Sequence, residues 1–343
     1  EFLITTVTLS SGDLVEKKIK NHQNIRHRYF PVDNFFLINN FLNSWKPDLA
    51  VFVDSEIWPN LLLELKRKKI SSILINARIT EKTFKRWMMI SGLAKKIFYI
   101  FDLCLVSNNE TKDYLSKLNA KNIKFIGNIK LAAKINIKNI KDINGINLFK
   151  EKFWCAASTH KGEEELCLDV HINLKKKIND ILTVIIPRHI SRSNEIKLLC
   201  NKYKLTSQIL NKDERIQNDK EILIVNSFGE LTTFFKYSKS VFMGKSTLKN
   251  LEQVGGQNPI EAAKLGCKIY HGPYVYNFNE VYDLLNSYKI SEKINSSREL
   301  SDRIIIDLNG EEKNFDKNIR IIDDLGQKIL DESVNQISKY LND

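Results

Sequence analysis

The sequence has no pair of cysteines spaced as CxxC and no HExxH. Its five cysteines, Cys104, Cys155, Cys167, Cys200 and Cys267, are odd in number and far apart. That argues against a disulfide framework or a zinc site and for a reducing compartment. The six histidines are equally scattered. No apolar run reaches the roughly 18 residues that a membrane span needs; the best candidate, residues 97–106, is broken by Asp102. There is no internal repeat of the length that marks a solenoid or propeller. Basic and aromatic residues are not interleaved as on a single-strand nucleic-acid surface, so no nucleic-acid partner is expected. The chain also lacks an initial Met and runs at once from Glu1 into Phe2-Leu3-Ile4-Thr5-Thr6-Val7, a strand already under way. A missing N-terminus, and with it any anchor or targeting segment, is expected.

What is present is the composition of a soluble globular chain, 43% hydrophobic and 27% charged over 343 residues, long enough for two domains. The formal charge of +12 suits anionic partners such as a nucleotide, a phosphorylated lipid or an acidic membrane surface. A compositional bias toward Ile, Asn and Lys, plain in Lys134-Ile135-Asn136-Ile137-Lys138-Asn139-Ile140, would raise the charge without any function.

Apolar β-type runs alternate with helical periodicity: strands are predicted near residues 2–8, 27–30, 49–53, 72–76, 103–107 and 123–126, with helices between them, including one around 85–97. Alternation restarts with strands near 153–157, 182–186, 221–225, 240–243 and 268–271. This order predicts an α/β protein with parallel sheets covered by helices. The expected domains are 1–132 and 151–310, joined by a low-complexity linker at 133–150 and followed by a C-terminal helix at 311–343. Ligands of such sheets sit beyond the carboxyl ends of the strands. That rule places Asp54, Glu56, Asn76, Arg78 and Lys130 on one rim.

The stretch Val254-Gly255-Gly256-Gln257-Asn258-Pro259-Ile260-Glu261 reads as a loop opening a helix. Gly255 and Gly256 permit positive φ and close approach to a ligand, Asn258 is a good N-cap and Pro259 suits the first helical position. Unpaired amides there favour a phosphate, and Glu261 could accept from ribose hydroxyls. The alternative is a capping box in which Glu261 reaches the amide of Asn258. Three further loops follow strands: Ser158-Thr159-His160-Lys161-Gly162, Pro187-Arg188-His189 and Ser227-Phe228-Gly229-Glu230. Each has a plain structural alternative, with Ser158 or Thr159 as caps, Glu163, Glu164 and Glu165 as dipole complements, and His189 as an exposed loop histidine. Together, with an arginine suited to phosphate, they point to a nucleotide site. Asp54 and Glu56 would share a face if their strand continues, as paired carboxylates for general-base work or cation stabilisation, with Lys130 neutralising an anion. Solvated rim charges are the alternative, and Trp58-Pro59-Asn60 reads as a turn.

These residues carry a family resemblance. Asp54-Ser55-Glu56-Ile57-Trp58-Pro59-Asn60, Ile75-Asn76-Ala77-Arg78-Ile79, Gly127-Asn128-Ile129-Lys130, Ala157-Ser158-Thr159-His160 with Gly162-Glu163-Glu164, Pro187-Arg188-His189, Gly229-Glu230-Leu231, Gly255 to Glu261, and Gly272-Pro273 with Asn277-Phe278 stand in the order found in glycosyltransferase family 30. The chain resembles these Kdo (3-deoxy-D-manno-octulosonic acid) transferases of lipopolysaccharide biosynthesis. The resemblance implies the GT-B fold of two facing Rossmann-like domains, CMP-Kdo as donor substrate, a phosphorylated disaccharide precursor of lipid A as acceptor, inversion at the anomeric carbon, and no metal or other cofactor. It implies CMP binding through Pro187, Arg188, Phe228, Gly229, Glu230, Asn258, Pro259, Ile260 and Glu261, and transition-state stabilisation by Asp54 and Lys130. Glu56, Arg78, Ser158, Thr159, His189, Gly255 and Gly256 are added as further candidates. The implied place of action is the cytoplasmic face of the bacterial inner membrane, against its anionic surface.

The chain departs from the family's pattern at Asp54 where Glu is common, at Ala132 where Asp is usual, at Lys245 and at Gln257, and it lacks the family's general-base glutamate in a Ser-Val-Gly-Glu type motif. The alternatives are a GT-B transferase using a UDP-sugar, separable by competition between CMP and UMP, and a degenerate basic binder of nucleic acid or membrane surfaces, which a steep salt dependence would reveal.

Overall fold

Short runs of Val, Ile and Leu form strands that need cover from water, and the amphipathic stretches between them supply it, fully for the central strands and partly for the outer ones. In the computed structural model, which describes residues 1–227, 229–310 and 315–341, the chain divides into two compact units, residues 1–128 with 330–343 and residues 129–329.

The first unit runs β1 (Phe2–Thr6), α1 (Leu9–Ile19), β2 (Ile25–Tyr29), α2 (Phe35–Trp45), β3 (Leu49–Val53), α3 (Pro59–Arg67), β4 (Ser71–Ala77), α4 (Glu81–Met88), α5 (Ser91–Phe98), β5 (Leu103–Val106), α6 (Asn109–Lys117) and β6 (Ile123–Phe125). All pairings are parallel, in two separate sheets of order β1-β2 and β3-β4-β5-β6. Leu62, Leu65, Ala94, Ile97, Phe98 and Phe101 are buried in its main core.

The second unit holds one seven-stranded sheet. Its elements are β7 (Phe153–Thr159), α7 (Glu163–Lys175), β8 (Leu182–Pro187), α8 (Ser193–Lys202), β9 (Ser207–Leu210), β10 (Ile222–Val225), α9 (Leu231–Tyr237), β11 (Ser240–Met243), α10 (Ile260–Lys264), β12 (Lys268–His271), α11 (Asn279–Ser287), β13 (Ser291–Lys293) and α12 (Ser297–Asn309). The strand order is β13-β12-β11-β7-β8-β10-β9, again parallel throughout, with a hydrophobic cluster on each face. The last helix, α13 (Phe315–Ser338), starts in the second unit and ends in the first.

Several local readings change. The single helix predicted around 85–97 is two, because Ile90 leaves the helical region (φ −121°, ψ 44°) and Ser91-Gly92 restarts the chain. β9 and β13, of four and three residues and partly polar, were not predicted. Residues 133–150 are not free of structure. Within them Ile146 is fully buried, Ile135, Ile140 and Phe149 pack on the second unit's core, and Asp142 accepts from the amides of Gly145, Ile146 and Asn147. α13 needs Gly326 where it passes Leu131, whose carbonyl oxygen would lie 2.1 Å from a Cβ there.

Candidate active site

In the first unit the rim is built by β3 and β4. β3 stops at Val53 because Asp54 turns into the left-handed region (φ 58°), and Asn76, near the end of β4, does the same (φ 50°). Asn and Asp tolerate this conformation better than other side chains, and such residues cluster at functional sites. The two are joined, Asn76 Nδ2 donating to Asp54 Oδ1. The Asp54 amide donates to the Ile75 carbonyl (3.0 Å), the Arg78 amide to the Asp54 carbonyl (3.3 Å), and Ser55 Oγ to the Arg78 carbonyl (2.6 Å). Asp54, Asn76 and Arg78 thus form one cluster at the carboxyl ends of two adjacent strands.

Glu56 is turned elsewhere. Its Oε2 accepts from Trp58 Nε1 at 2.9 Å, so the condition for sharing a face with Asp54, a continuing strand, is not met. Trp58-Pro59-Asn60 opens α3, with Pro59 at its start. The amides of Asn60 and Leu61 donate to the Asp33 carboxylate at 3.0 Å each, a cap from 27 residues away that no local pattern announces. Lys130 is exposed on a 3-10 turn, Ile129–Ala132, which belongs to the second unit.

In the second unit the parallel strands carry their following loops to one edge of the sheet. Ser158 sits at a register shift between β7 and β8, with φ 57°. The Arg188 amide donates to the Thr159 carbonyl (3.0 Å), and the side chains of Arg188 and His189 are exposed just past β8. The His160 ring lies edge-on to that of His189, centroids 6.2 Å apart, and its Nδ1 meets the Ser158 carbonyl at 3.1 Å. Burial lowers the His160 pKa against the pull of that carbonyl and Glu163, which keeps the ring neutral near pH 7.

Glu163 is the residue that sequence reading underrated as a dipole complement. Its fully buried carboxylate accepts from the amides of His160 (2.9 Å), Lys245 (2.6 Å), Ser246 (2.8 Å) and Thr247 (3.1 Å) and from Thr247 Oγ1 (2.9 Å). The loop after β11 is therefore organised around an internal anion. A Cβ on Gly244 would come within 2.6 Å of the Ser158 carbonyl oxygen, so only glycine fits between these loops.

Glu230 precedes α9, and its Oε2 accepts from Ser227 Oγ at 2.5 Å. Gly229 has φ 86° with open space around it, while Phe228 lies outside the described residues. Gly256 takes the expected positive φ (89°), yet Gly255 and Gly256 press against the chain's own backbone. Cβ atoms there would meet the Tyr274 and Val275 carbonyl oxygens at 2.2 and 2.9 Å. Asn258 Oδ1 accepts from the Ile260 amide (3.1 Å), as a cap does. Pro259 and Ile260 are buried, α10 has five residues, and Glu261 is exposed at its start without a hydrogen bond to the Asn258 amide among the described residues.

Among the described residues no group of three or more His, Cys, Asp or Glu is placed to hold a metal ion, and no helix is long and apolar enough to cross a membrane. All five cysteines are free and buried.

Residues 1–133 match the family described as 3-deoxy-D-manno-octulosonic-acid transferase (kdotransferase). The 3-deoxy-D-manno-octulosonic acid transferase of Rickettsia bellii is 31% identical over 350 residues, covering 99% of this chain and 81% of that protein. The enzyme of that name from Haemophilus influenzae is 26% identical over 306 residues, covering 88% and 70%. Among solved structures, a glycosyltransferase from Rickettsia africae superposes with a TM-score of 0.62 at 12% identity, over 99% of this chain and 98% of that one. The two parallel-sheet units are thus those of the GT-B class, and the chain belongs to the 3-deoxy-D-manno-octulosonic acid transferase family.

Proposed function

We propose that the chain transfers Kdo from CMP-Kdo to the phosphorylated disaccharide precursor of lipid A, with inversion, at the cytoplasmic face of the inner membrane. The observation that carries this reading is the Asp54–Asn76–Arg78 cluster, two left-handed residues joined through their side chains at strand ends and tied to the Arg78 backbone, in a chain of this family. The acceptor hydroxyl loses its proton to a base and its oxygen attacks the anomeric carbon of Kdo. The bond from that carbon to the CMP phosphate oxygen breaks, and CMP leaves with the electron pair. Asp54, beside Asn76, stabilises positive charge developing on the sugar, while Lys130 and Arg188 neutralise the departing phosphate, without a metal in this reading. Glu56, bonded to Trp58, serves the turn more directly than the chemistry.

CMP occupies the second unit, its phosphate near Arg188 and His189, its ribose hydroxyls on Glu230 or Glu261, with Gly229 leaving room for the base. Ser158 sits at the same edge, while Thr159, the last residue of β7, is fully buried behind it. The family's general-base glutamate has no counterpart that we assign in residues 1–343, so donor binding and turnover are separate expectations. Thermal-shift titration with CMP, UMP and AMP tests the first. CMP at 100 times its dissociation constant should stabilise the protein by roughly 2.7 kcal/mol, and Arg188→Ala should weaken CMP at least about tenfold. A larger response to UMP than to CMP would overturn the donor assignment in favour of a UDP-sugar.

A further inference from the structure

The element that follows Arg78 in the chain is unusual for a surface helix pair. α4 contributes no buried residue, and it meets α5 at a tip where Met88, Met89, Ile90 and Leu93 are 38%, 84%, 50% and 48% exposed. α5 faces inward with Ala94, Ile97 and Phe98, so the outward position of this tip is fixed by the core of the first unit. Isolated exposed apolar residues are ordinary, but four in a span of six residues form a patch.

The charge around the tip is one-sided. Between Thr80 and Tyr99 there are five basic side chains and one acidic one. All five, Lys82, Lys85, Arg86, Lys95 and Lys96, are exposed, and the single acid, Glu81, pairs with Lys85 at 2.6 Å. Tyr99, 44% exposed at the end of α5, carries the Lys121 ammonium over its ring at 3.7 Å. An apolar tip with a cationic skirt and an amphipathic aromatic at its base has the chemistry of a segment lying in the headgroup region of an anionic bilayer.

A second exposed apolar group, Val32 (76%) with Phe35 (48%) and Phe36 (74%) at the start of α2, has no basic residue in its own segment; the Arg67 and Lys68 side chains that reach α2 come from the end of α3 and donate to Asn39 and Asn43. Between Arg28 and Lys46 the sequence has no basic residue.

We infer that the α4–α5 tip is a membrane-docking element, which inserts Met89, Ile90 and Leu93 among the headgroups of an anionic bilayer while Lys82, Arg86, Lys95 and Lys96 bind the lipid phosphates. α4 starts three residues after Arg78, and its eight residues span about 12 Å. Docking at the tip therefore brings the strand ends bearing Asn76 and Arg78 to within a short helix of the lipid surface, where a lipid acceptor would be presented. The inference rests on the proposed acceptor only for its purpose; binding to vesicles can be measured without donor, acceptor or turnover.

The test is co-sedimentation of the full chain with vesicles of phosphatidylcholine alone and with 30% phosphatidylglycerol. The parent should bind the anionic vesicles, and added salt should weaken it. Each basic residue at an anionic surface is worth roughly fivefold in affinity, so K82Q/R86Q/K95Q/K96Q should lose at least about 100-fold. M89S/I90S/L93S should lose about tenfold or more, while V32S/F36S should bind as the parent does. Because the native cysteines are buried, M89C can be labelled selectively with an environment-sensitive dye, whose emission should shift to the blue on anionic vesicles and not on neutral ones. Retained binding by M89S/I90S/L93S, loss confined to V32S/F36S, or an unshifted dye on a vesicle-bound protein would each overturn the inference. A dye shift produced by a soluble protein partner with no vesicle binding would do the same.

Discussion

His171 shows how a single buried side chain makes stability depend on pH. It is fully buried in α7, its Nδ1 lies 2.9 Å from Thr183 Oγ1, and Thr183 in turn accepts from Trp154 Nε1 at 2.8 Å. Nε2 has no hydrogen-bond partner among the described residues and lies 3.9 Å from the Glu221 carboxylate. Burial pushes the pKa down to about 4, against a smaller opposing pull from Glu221. A folded pKa below the unfolded one means that the unfolded chain takes up the proton first as pH falls. The neutral histidine's contribution is thus complete above about pH 6.5 and is lost as pH drops toward 4. The cost is about 2 kcal/mol by pH 5 and about 3 kcal/mol below pH 4. Urea unfolding should therefore show the parent losing stability relative to His171→Gln over this window by about those amounts. Parallel pH profiles for the two proteins would sink the assignment. Glu163, equally buried, acts by geometry, as the acceptor that holds the loops after β7 and β11 together.

At the scale of elements the two units solve the same parallel-sheet problem differently. In the second unit the first strand, β7, lies at the centre of the sheet between β8 and β11, and each of β7, β8, β10 and β11 is almost wholly buried. In the first unit β1 and β3 are not hydrogen-bonded to each other. β1 exposes Phe2 (68%) and Ile4 (37%), and β3 exposes Val51 and Val53 (43% and 45%). A two-stranded sheet covered this thinly opens at low free energy. In native-state hydrogen exchange the amides of β1 and β2 should exchange at least about 100-fold faster than those of β7 and β8; equal protection would show that the first sheet is supported in another way. The sequence made these strands legible because uninterrupted Val, Ile and Leu runs are rare outside buried strands, and the motif loops were found at their carboxyl ends by the same reading. β9 and β13 escaped because Ser207-Gln208-Ile209-Leu210 and Ser291-Glu292-Lys293 hold too few apolar residues to read as buried runs. The Asp33 cap of α3 and the clamp made by Glu163 escaped because their partners are 27 and more than 80 residues away. The paired glycines 255 and 256 were visible, but only the backbone of Tyr274 and Val275 shows what they accommodate.

Over the whole molecule, the chain passes between the units after Asn128 and again within α13, and each unit has its own hydrophobic clusters. A ligand stabilises only what unfolds together with its site, and the proposed CMP contacts, Arg188, Gly229, Glu230 and residues 258–261, all belong to the second unit. Saturating CMP should therefore slow exchange at the amides of β7, β8, β10 and β11 by up to about 100-fold at 100 times the dissociation constant, while the amides of β4 and β5 keep their rates. In a melting experiment the same logic gives two transitions, of which CMP raises one. The measurement also separates the two halves of the functional reading. Protection confined to the second unit supports nucleotide binding there and leaves the Asp54–Asn76–Arg78 cluster to the sugar's reacting carbon. Protection confined to β3 and β4 would move the nucleotide to the first unit and overturn the division of labour. Equal protection throughout would mean that the units unfold as one, with α13, which runs through both, as the element to cut first in asking why.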